Sequence, residues 1–192
     1  MVSNLLHAIQ SVITLSPKEA EVVSTLFKRK SYRKGAFFLE DGHVCKHAGF
    51  IEKGLIRYYI NDDGVEKTYE FGQENNFVCN YESFLPQAPS TKVIQSLEDS
   101  IIWQISYADL QIFYQSVRDG ERFGRLVIEQ VFVKLLNALG SLYIDKPEQR
   151  YMKLLEEHPE LQQRVSQYHI ASYVGVKPQS LSRIRKRIYS TG

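Results

Sequence analysis

Apolar and polar side chains alternate along the middle of the chain with the two-residue period of a β-strand. Residues 56–60 and 65–71 both show this alternation, and the segment Asn61-Asp62-Asp63-Gly64 separates them. Glycine supplies the positive φ that a tight turn requires, so the pattern predicts a β-hairpin. Similar short segments, rich in Phe, Tyr, Ile and Val, extend over residues 32–106. We expect seven or eight strands, the last of them within residues 93–105, which is enough for a closed or nearly closed β-roll.

Helical patterns flank this β-rich region. Ser16-Pro17-Lys18-Glu19 is typical of a helix start, because Ser can cap the helix, Pro fits its first turn and Glu completes a capping box. Further helices are predicted over residues 1–14, 107–116, 121–143, 148–158 and 167–174, with a loop at 160–165. The order of elements predicts an α+β protein, in which a jelly-roll-like barrel is followed by helices.

The long helix over residues 121–143 carries a regular apolar stripe. Ile128, Leu135 and Leu142 are seven residues apart, and Phe132 and Leu139 lie between them. This spacing places the five side chains at the a and d positions of a coiled-coil seam. It predicts a dimer interface along residues 121–145. Packing of the same stripe onto the barrel is the alternative that the spacing leaves open.

The residues that follow have the composition of a helix-turn-helix. Ala171 provides a small side chain where a second helix can cross, and Gly175 tolerates the positive φ of a tight turn. Pro178 fits the first turn of the next helix, where its missing N–H is not needed. The side chains expected to form one small core are Ile170, Val174, Val176, Leu181 and Ile184.

The second helix of this pair has a polar face that could read DNA. At about 100° per residue, Gln179, Arg183 and Lys186 share the face opposite Leu181 and Ile184. Arg and Gln can hydrogen-bond to base edges in the major groove, while Lys and Ser commonly hold phosphates. A buried amphipathic helical hairpin is the alternative explanation of the apolar spacing.

The distribution of charge agrees with a polyanionic partner. The 192-residue chain has a net charge of only +2, yet residues 177–187 contain five basic side chains and no acidic one. A basic segment on a slightly acidic body is typical of a nucleic-acid-binding protein. A solvated helix end, where basic residues suit the helix dipole, is the alternative.

Cysteine content and hydropathy narrow the class of protein. Cys45 and Cys79 are the only two cysteines, which argues against a disulfide scaffold and excludes a four-cysteine iron–sulfur cluster within one chain. The sequence has no uninterrupted run of ~18–20 apolar residues and no long apolar N-terminal segment. We expect a reduced, cytoplasmic protein without a membrane partner.

With a β-roll, a long helix and a helix-turn-helix in this order, the chain resembles the Crp/Fnr family of transcription regulators over roughly residues 10–190. The resemblance implies three parts: a cyclic-nucleotide-binding-like sensor over residues 1–120, a dimerisation helix over 121–145 and a DNA-binding domain over 146–192. It also implies a homodimer that binds double-stranded DNA in response to a small effector, with RNA polymerase as a further partner, and no enzymatic activity.

The family's contacts with DNA correspond here to Pro178, Gln179 and Arg183. Arg183 matches the base-reading arginine of the family, whereas Gln179 replaces a glutamate that is often found there. Pro178 replaces a residue that can donate a hydrogen bond to DNA. The resemblance and the basic composition together make Lys177, Ser180, Lys186 and Arg187 the candidate phosphate contacts.

The sensor half departs further from the family pattern. Relatives that bind cAMP hold its ribose and cyclic phosphate with Gly-Glu-Leu and Arg-Ser-Ala segments, and the matching positions here read Cys79-Asn80-Tyr81 and Ser90-Thr91-Lys92. Loss of the arginine removes a charge-assisted pair worth ~2 kcal/mol or more. We therefore expect no cAMP cofactor. The candidate contacts for another effector are Asn80, Tyr81, Ser90 and Thr91.

A second class of function rests on the barrel. His43, Cys45 and His47 are two residues apart and would share one face of a strand, where imidazole and thiolate can bind zinc or copper. The alternative hypothesis is therefore a ligand- or metal-binding, cupin-like barrel with a helical appendage. His43 follows Gly42, however, and this position favours an exposed turn, so we expect no metal site. The sequence has no glycine-rich phosphate loop between a strand and a helix.

Overall fold

The computed structural model describes residues 3–190, apart from the side chains of Ser3 and Tyr189. The chain divides into two compact units. The first comprises Met1–Tyr58 and Phe71–Phe132, and the second comprises Tyr59–Glu70 and Val133–Gly192.

The first unit contains β-strands with helices before and after them. Its helices are α1 (Ser3–Gln10), α2 (Pro17–Leu26), α3 (Tyr81–Phe84), α4 (Tyr107–Ser116) and the start of α5 (Gly120–Ile144). Residues 3–190 contain eight strands, which are β1 (Lys28–Tyr32), β2 (Phe37–Leu39), β3 (His47–Lys53), β4 (Ile56–Asp62), β5 (Val65–Gly72), β6 (Phe77–Val78), β7 (Lys92–Ser96) and β8 (Ser100–Ser106). Most of β4 and β5, at residues 59–70, belongs to the second unit. This confirms the predicted α+β class and the predicted β-roll.

The strands form two four-stranded sheets, ordered β1-β8-β3-β6 and β2-β7-β4-β5. In the first sheet β8 pairs antiparallel with both β1 and β3, so its central residues are buried. Position 49 of β3 accommodates only a glycine without a shift of its neighbours, because a Cβ there would lie 2.6 Å from Cγ2 of Ile102. Apolar side chains of the helices pack with Phe50 and Trp103 in one core, which includes Leu5, Ile9, Val23, Phe113 and Phe123.

The predicted hairpin is formed by β4 and β5. Asp63 and Gly64 both have positive φ, at 50° and 83°, as the central residues of a type I′ turn require. The alternating sequence of β4 does not produce alternating burial, because the four consecutive residues 56–59 are all buried. Among them Arg57 is only 1% exposed, and its Nη2 donates to Oε1 of Gln95 at 3.1 Å.

The start of α2 confirms the capping box. The side chain of Ser16 accepts from the backbone N–H of Glu19, and the Glu19 carboxylate accepts from the backbone N–H of Ser16. These hydrogen bonds lower the pKa of the Glu19 carboxyl to about 2, and the bond with the Ser16 side chain has the largest effect. The helix predicted over residues 1–14 is observed as α1, and residues 1 and 2 lie outside the described part of the chain.

The second unit contains helices and the tip of the hairpin. After the end of α5 it continues with α6 (Pro147–Glu157), α7 (Leu161–Arg164), α8 (Gln167–Val174) and α9 (Pro178–Ser190). The loop expected at residues 160–165 is therefore a short helix, α7. Between residues 133 and 190 the structure contains no strand.

Candidate nucleic-acid interface and sensor site

A sharp turn at Gly175 joins α8 to α9. Ser166 caps the start of α8, where its side chain accepts from the N–H of His169. Gly175 ends the helix in the left-handed conformation, with φ of 78° and ψ of 34°. The N–H of Val176 then donates to the carbonyl of Ala171 at 2.9 Å, the six-residue closure typical of a glycine helix stop. These contacts fix the turn that the sequence predicted.

The two helices enclose a small apolar core. Ala171 is fully buried, as expected for a small residue at a helix crossing. The other buried side chains of the pair are Ile170, Val174, Leu181 and Ile184, and α6, α7 and the residue after α7 add Tyr151, Leu154, Leu161 and Val165. Val176 is half-buried. The predicted core is therefore largely observed and is larger than predicted.

Arg150 of α6 completes the turn, a role that sequence reasoning missed. Its Nη2 and Nε donate to the carbonyl of Val174 at 2.7 and 3.0 Å, and its Nη1 donates to the carbonyl of Asp145 at 2.7 Å. The guanidinium thus satisfies a carbonyl at the C-terminal end of α8. Arginine on an amphipathic helix looks like a solvated residue, so the sequence contains no signal for this contact.

The outer face of α9 is polar and exposed. Gln179, Arg183 and Lys186 are exposed, as is Lys177 just before the helix. Nη2 of Arg183 donates to Oγ of half-buried Ser180 at 3.2 Å. Three of the candidates on α9, Gln179, Arg183 and Lys186, therefore lie opposite buried Leu181 and Ile184, as the helical period predicted.

A groove of about 390 Å³ lies beside this face, between the start of α6 and α9. Its lining includes the candidate residues Ser180, Arg183 and Arg187, and also Lys146, which sequence reasoning missed. Arg187 donates to Oε2 of Glu148 at 3.1 Å, and both side chains are exposed. A phosphate at Arg187 would therefore have to compete with the Glu148 carboxylate, whereas Lys146 adds a positive charge at the same edge.

The tip of the β4–β5 hairpin is held to α8 by one serine. Oγ of Ser172 donates to the carbonyl of Glu66 at 2.7 Å and accepts from the N–H of Thr68 at 2.9 Å. Next to these bonds, Nζ of Lys134 on α5 lies 2.5 Å from Oε1 of Glu70. The hairpin tip and the helix-turn-helix thus belong to the same compact unit.

The predicted seam of α5 is exposed in the single chain. Its side chains are between 37% and 63% exposed, and they are Ile128, Phe132, Leu135, Leu139 and Leu142. The five side chains are therefore not buried within the single chain. Although polar residues interrupt it, α5 is also long and apolar enough on average, with a mean hydropathy of 1.4, to cross a membrane.

In the sensor half, the structure brings Asn80 and Ser90 together. Both are buried, and Nδ2 of Asn80 donates to Oγ of Ser90 at 2.6 Å. Oγ of Ser90 also donates to the carbonyl of Lys92 and accepts from its N–H, each at 2.9 Å. The polar groups of these two candidate effector contacts are therefore engaged with each other and with the backbone.

The other two effector candidates lie in different surroundings. Thr91 is exposed, and Tyr81 at the start of α3 is half-buried, where burial raises the pKa of its hydroxyl. Lys92 forms an ion pair with Glu82. Lys92 thus already has an anionic partner.

The metal candidates do not converge. His43 is exposed in a turn, where its Nδ1 lies 3.2 Å from the carbonyl of Asp41, while Cys45 is buried. His47 is half-buried in β3, and burial, followed by the charges of Lys30 and Lys46, lowers the pKa of its imidazole. Within residues 3–190, no three His, Cys, Asp or Glu side chains are grouped closely enough to hold a metal ion.

Comparison with known proteins identifies the first part of the chain. Residues 29–117 match the family model of the cyclic nucleotide-binding domain. Among curated protein sequences, none matches the chain significantly. The β-roll therefore belongs to the class of cyclic-nucleotide-binding-like domains.

Solved structures extend the likeness to the whole chain. The c-di-GMP-responsive global regulator CLP of Xanthomonas campestris is 18% identical, covers 92% of this chain and 93% of its own, and has a TM-score of 0.72. The catabolite activator protein of Thermus thermophilus is 15% identical, with coverages of 96% and 88% and a TM-score of 0.60. FixK2 of Bradyrhizobium japonicum is 14% identical, covers 86% of both chains and has a TM-score of 0.69. The chain has the fold of the Crp/Fnr regulators, which confirms the resemblance that the sequence indicated.

Proposed function

We propose that this protein is a homodimeric, sequence-specific DNA-binding transcription regulator of the Crp/Fnr type. The observation that carries the proposal is the α8–α9 pair, in which a buried core and a glycine turn present an exposed Gln/Arg/Lys face. In a helix-turn-helix, the second helix enters the major groove and its N-terminal residues contact base edges. Activity of this kind requires no catalytic group, and the protein is a regulator rather than an enzyme.

The residues of α9, with Lys177 just before it, divide into two roles. Arg183 and Gln179 contact base edges, because both side chains carry donors at the exposed start of the helix. Lys177, Ser180, Lys186 and Arg187 hold phosphates, which fixes the register of the helix on the duplex without reading sequence. Pro178 opens the helix and makes no polar contact with DNA from its backbone nitrogen.

Two copies of the chain pair along α5. Its exposed apolar seam needs a partner surface, and the seam of a second copy presents the same spacing of side chains. A two-fold dimer places its two recognition helices about 34 Å apart, one turn of B-DNA, on a near-palindromic site. The dimer acts in the cytoplasm, with RNA polymerase as the partner through which it changes transcription.

The β-roll does not use cAMP as its effector. Asn80 and Ser90 bond to each other, and Lys92 is paired with Glu82, so no unpaired cation among these residues faces the predicted phosphate position. We expect cAMP at about 1 mM to leave the melting temperature of the protein unchanged, whereas a ligand at about 100 times its Kd would add ~2.7 kcal/mol of stability. Differential scanning fluorimetry measures this, with a known cAMP-binding regulator as the positive control. A saturable rise in melting temperature would contradict the expectation.

The proposed function is tested by selection of bound duplexes from a random DNA pool. We expect an enriched, near-palindromic sequence with two half-sites about one helical turn apart. Genome-wide mapping of bound sites then identifies the regulated genes. Recovery of unenriched DNA by a folded dimer would overturn the proposal of sequence-specific binding.

A further inference from the structure

The groove between the start of α6 and α9 carries charges of both signs. Within the described part of the chain, three of its lining side chains are basic and one is acidic, and these four are Lys146, Arg183, Arg187 and Glu148. The other residues that line the groove are uncharged. Two candidates for contact with DNA, Arg183 and Arg187, thus share this surface with a single carboxylate. A negative charge on a surface that holds phosphates opposes their binding, because like charges repel.

The carboxylate of Glu148 is held against one of these two candidates. Glu148 lies in the first turn of α6, and its Oε2 accepts from Nη2 of Arg187 at 3.1 Å. The Glu148 and Arg187 side chains remain 42% and 62% exposed, so water and ions reach both groups. An exposed ion pair of this kind contributes little to stability, so a phosphate can replace the carboxylate. The dipole of α6 favours an acidic residue in its first turn, but it does not account for the contact with Arg187.

We propose that Glu148 is an intramolecular competitor of the DNA phosphate at Arg187, which lowers the affinity of the regulator for every duplex and leaves its base preference unchanged. This role rests on the proposed function. A phosphate that binds Arg187 must displace the Glu148 carboxylate, which then remains beside the phosphate in the same groove. All duplexes present the same phosphates, so this cost is independent of base sequence.

The competition keeps non-specific binding weak. A non-specific complex depends essentially on contacts between cations and phosphates, whereas a specific complex adds base contacts. In the proposed function these base contacts come from Gln179 and Arg183, and Glu148 bonds to neither of them in the structure. A uniform loss of phosphate affinity therefore releases the regulator from other DNA, while the base contacts retain it at its own sites.

The first test is the affinity of the full-length Glu148→Gln protein. We expect it to bind the selected duplex and a scrambled duplex ~2–30-fold more tightly than the wild type, by the same factor for both, because the dimer contains two exposed ion pairs. The gain should shrink as potassium chloride is raised, since salt screens exposed charges. Fluorescence anisotropy measures each Kd, and the melting temperature shows that the variant is folded. An unchanged Kd, or a gain confined to one duplex, would overturn the proposal.

Glu156→Gln is the matched control, because it removes the same charge from the same helix. Glu156 is exposed about 12 Å further along α6 and lines a neighbouring groove that contains neither Arg183 nor Arg187. We expect its Kd to equal that of the wild type. An equal gain in both variants would show that net charge alone sets the affinity, which would overturn the proposal.

A double-mutant cycle separates competition for Arg187 from simple repulsion of DNA. In an Arg187→Ala background the group for which carboxylate and phosphate compete is absent, so Glu148→Gln should give a smaller gain than in the wild type. The same gain in both backgrounds would show that Glu148 repels DNA without competing for Arg187. That result would overturn the proposal.

Elution from a heparin column separates the proposal from the proposed function. Heparin is a polyanion without bases, so its binding requires no reading of sequence. We expect Glu148→Gln to elute at a higher potassium chloride concentration than the wild type and Glu156→Gln. If selection enriches no DNA sequence, the proposed function fails, while the order of elution still decides whether Glu148 competes with anions in this groove. Elution of all three proteins at one concentration would overturn the competition.

Discussion

Replacing Leu139 with Glu is expected to convert the dimer into monomers and to weaken binding to a two-half-site duplex by ~100-fold or more, because a monomer loses the effective concentration that links the two contacts. Leu139 lies within the α5 seam and is 50% exposed in the single chain. In the proposed dimer both copies of this side chain are buried. A carboxylate there would lose its hydration without gaining a partner. Sedimentation velocity gives the oligomeric state, and fluorescence anisotropy gives the Kd.

Asn137→Glu is the matched control for this substitution. Asn137 is exposed on the same helix, and two residues at about 100° each place it on the far side from Leu139. We expect this variant to remain a dimer with wild-type affinity. A Leu139→Glu protein that stays dimeric would contradict the seam. Recovery of the wild-type chain in the membrane fraction would also contradict the seam, because the hydropathy of α5 allows a membrane location.

Replacing Arg183 with Ala is expected to cost ~1–3 kcal/mol, that is ~5–150-fold in Kd, and to relax the base preference at one position of each half-site. Arg183 is exposed on the outer face of α9, and its Nη2 donates to Oγ of Ser180. It can therefore turn to DNA without breaking a buried pair. Binding to a panel of single-base variants of the selected duplex measures both effects.

Two other substitutions on α9 separate base reading from charge. Lys186→Ala should weaken binding to all duplexes alike and reduce the salt dependence, as expected for a phosphate contact. Arg185→Ala removes the same charge as Arg183→Ala, but Arg185 is half-buried and points away from the Gln179–Arg183 face. The base preference of the Arg185→Ala protein should be the same as that of the wild type. Equal loss at every base position in Arg183→Ala would show that Arg183 contacts only the backbone.

The parts of the structure that the sequence predicted depend on local rules. The period of two around Gly64 gave the hairpin, and the Ala171–Gly175 interval gave the helix-turn-helix, because each pattern is satisfied within a few residues of the chain. The same holds for the capping box at Ser16. The heptad spacing on α5 predicts a dimer seam, and its five side chains are exposed in the single chain.

The parts that it did not predict depend on contacts between distant residues. Arg150 reaches the carbonyl of Val174, a pairing that only the fold of the second unit creates. Buried Arg57 illustrates the same limit, since an arginine in an alternating strand is expected on the solvent side.

The salt dependence of binding tests most directly whether the α8–α9 pair binds DNA as proposed. The Kd of the wild-type dimer for the selected duplex is measured by anisotropy at several potassium chloride concentrations, beside a scrambled duplex of the same length. Lys177, Lys186 and Arg187 are the three cationic phosphate contacts proposed for each of the two copies, so the logarithm of the association constant should fall with the logarithm of salt with a slope of about −5. The selected duplex should bind more tightly than the scrambled one at every salt concentration. A flat response, or equal affinity for the two duplexes, would contradict the account.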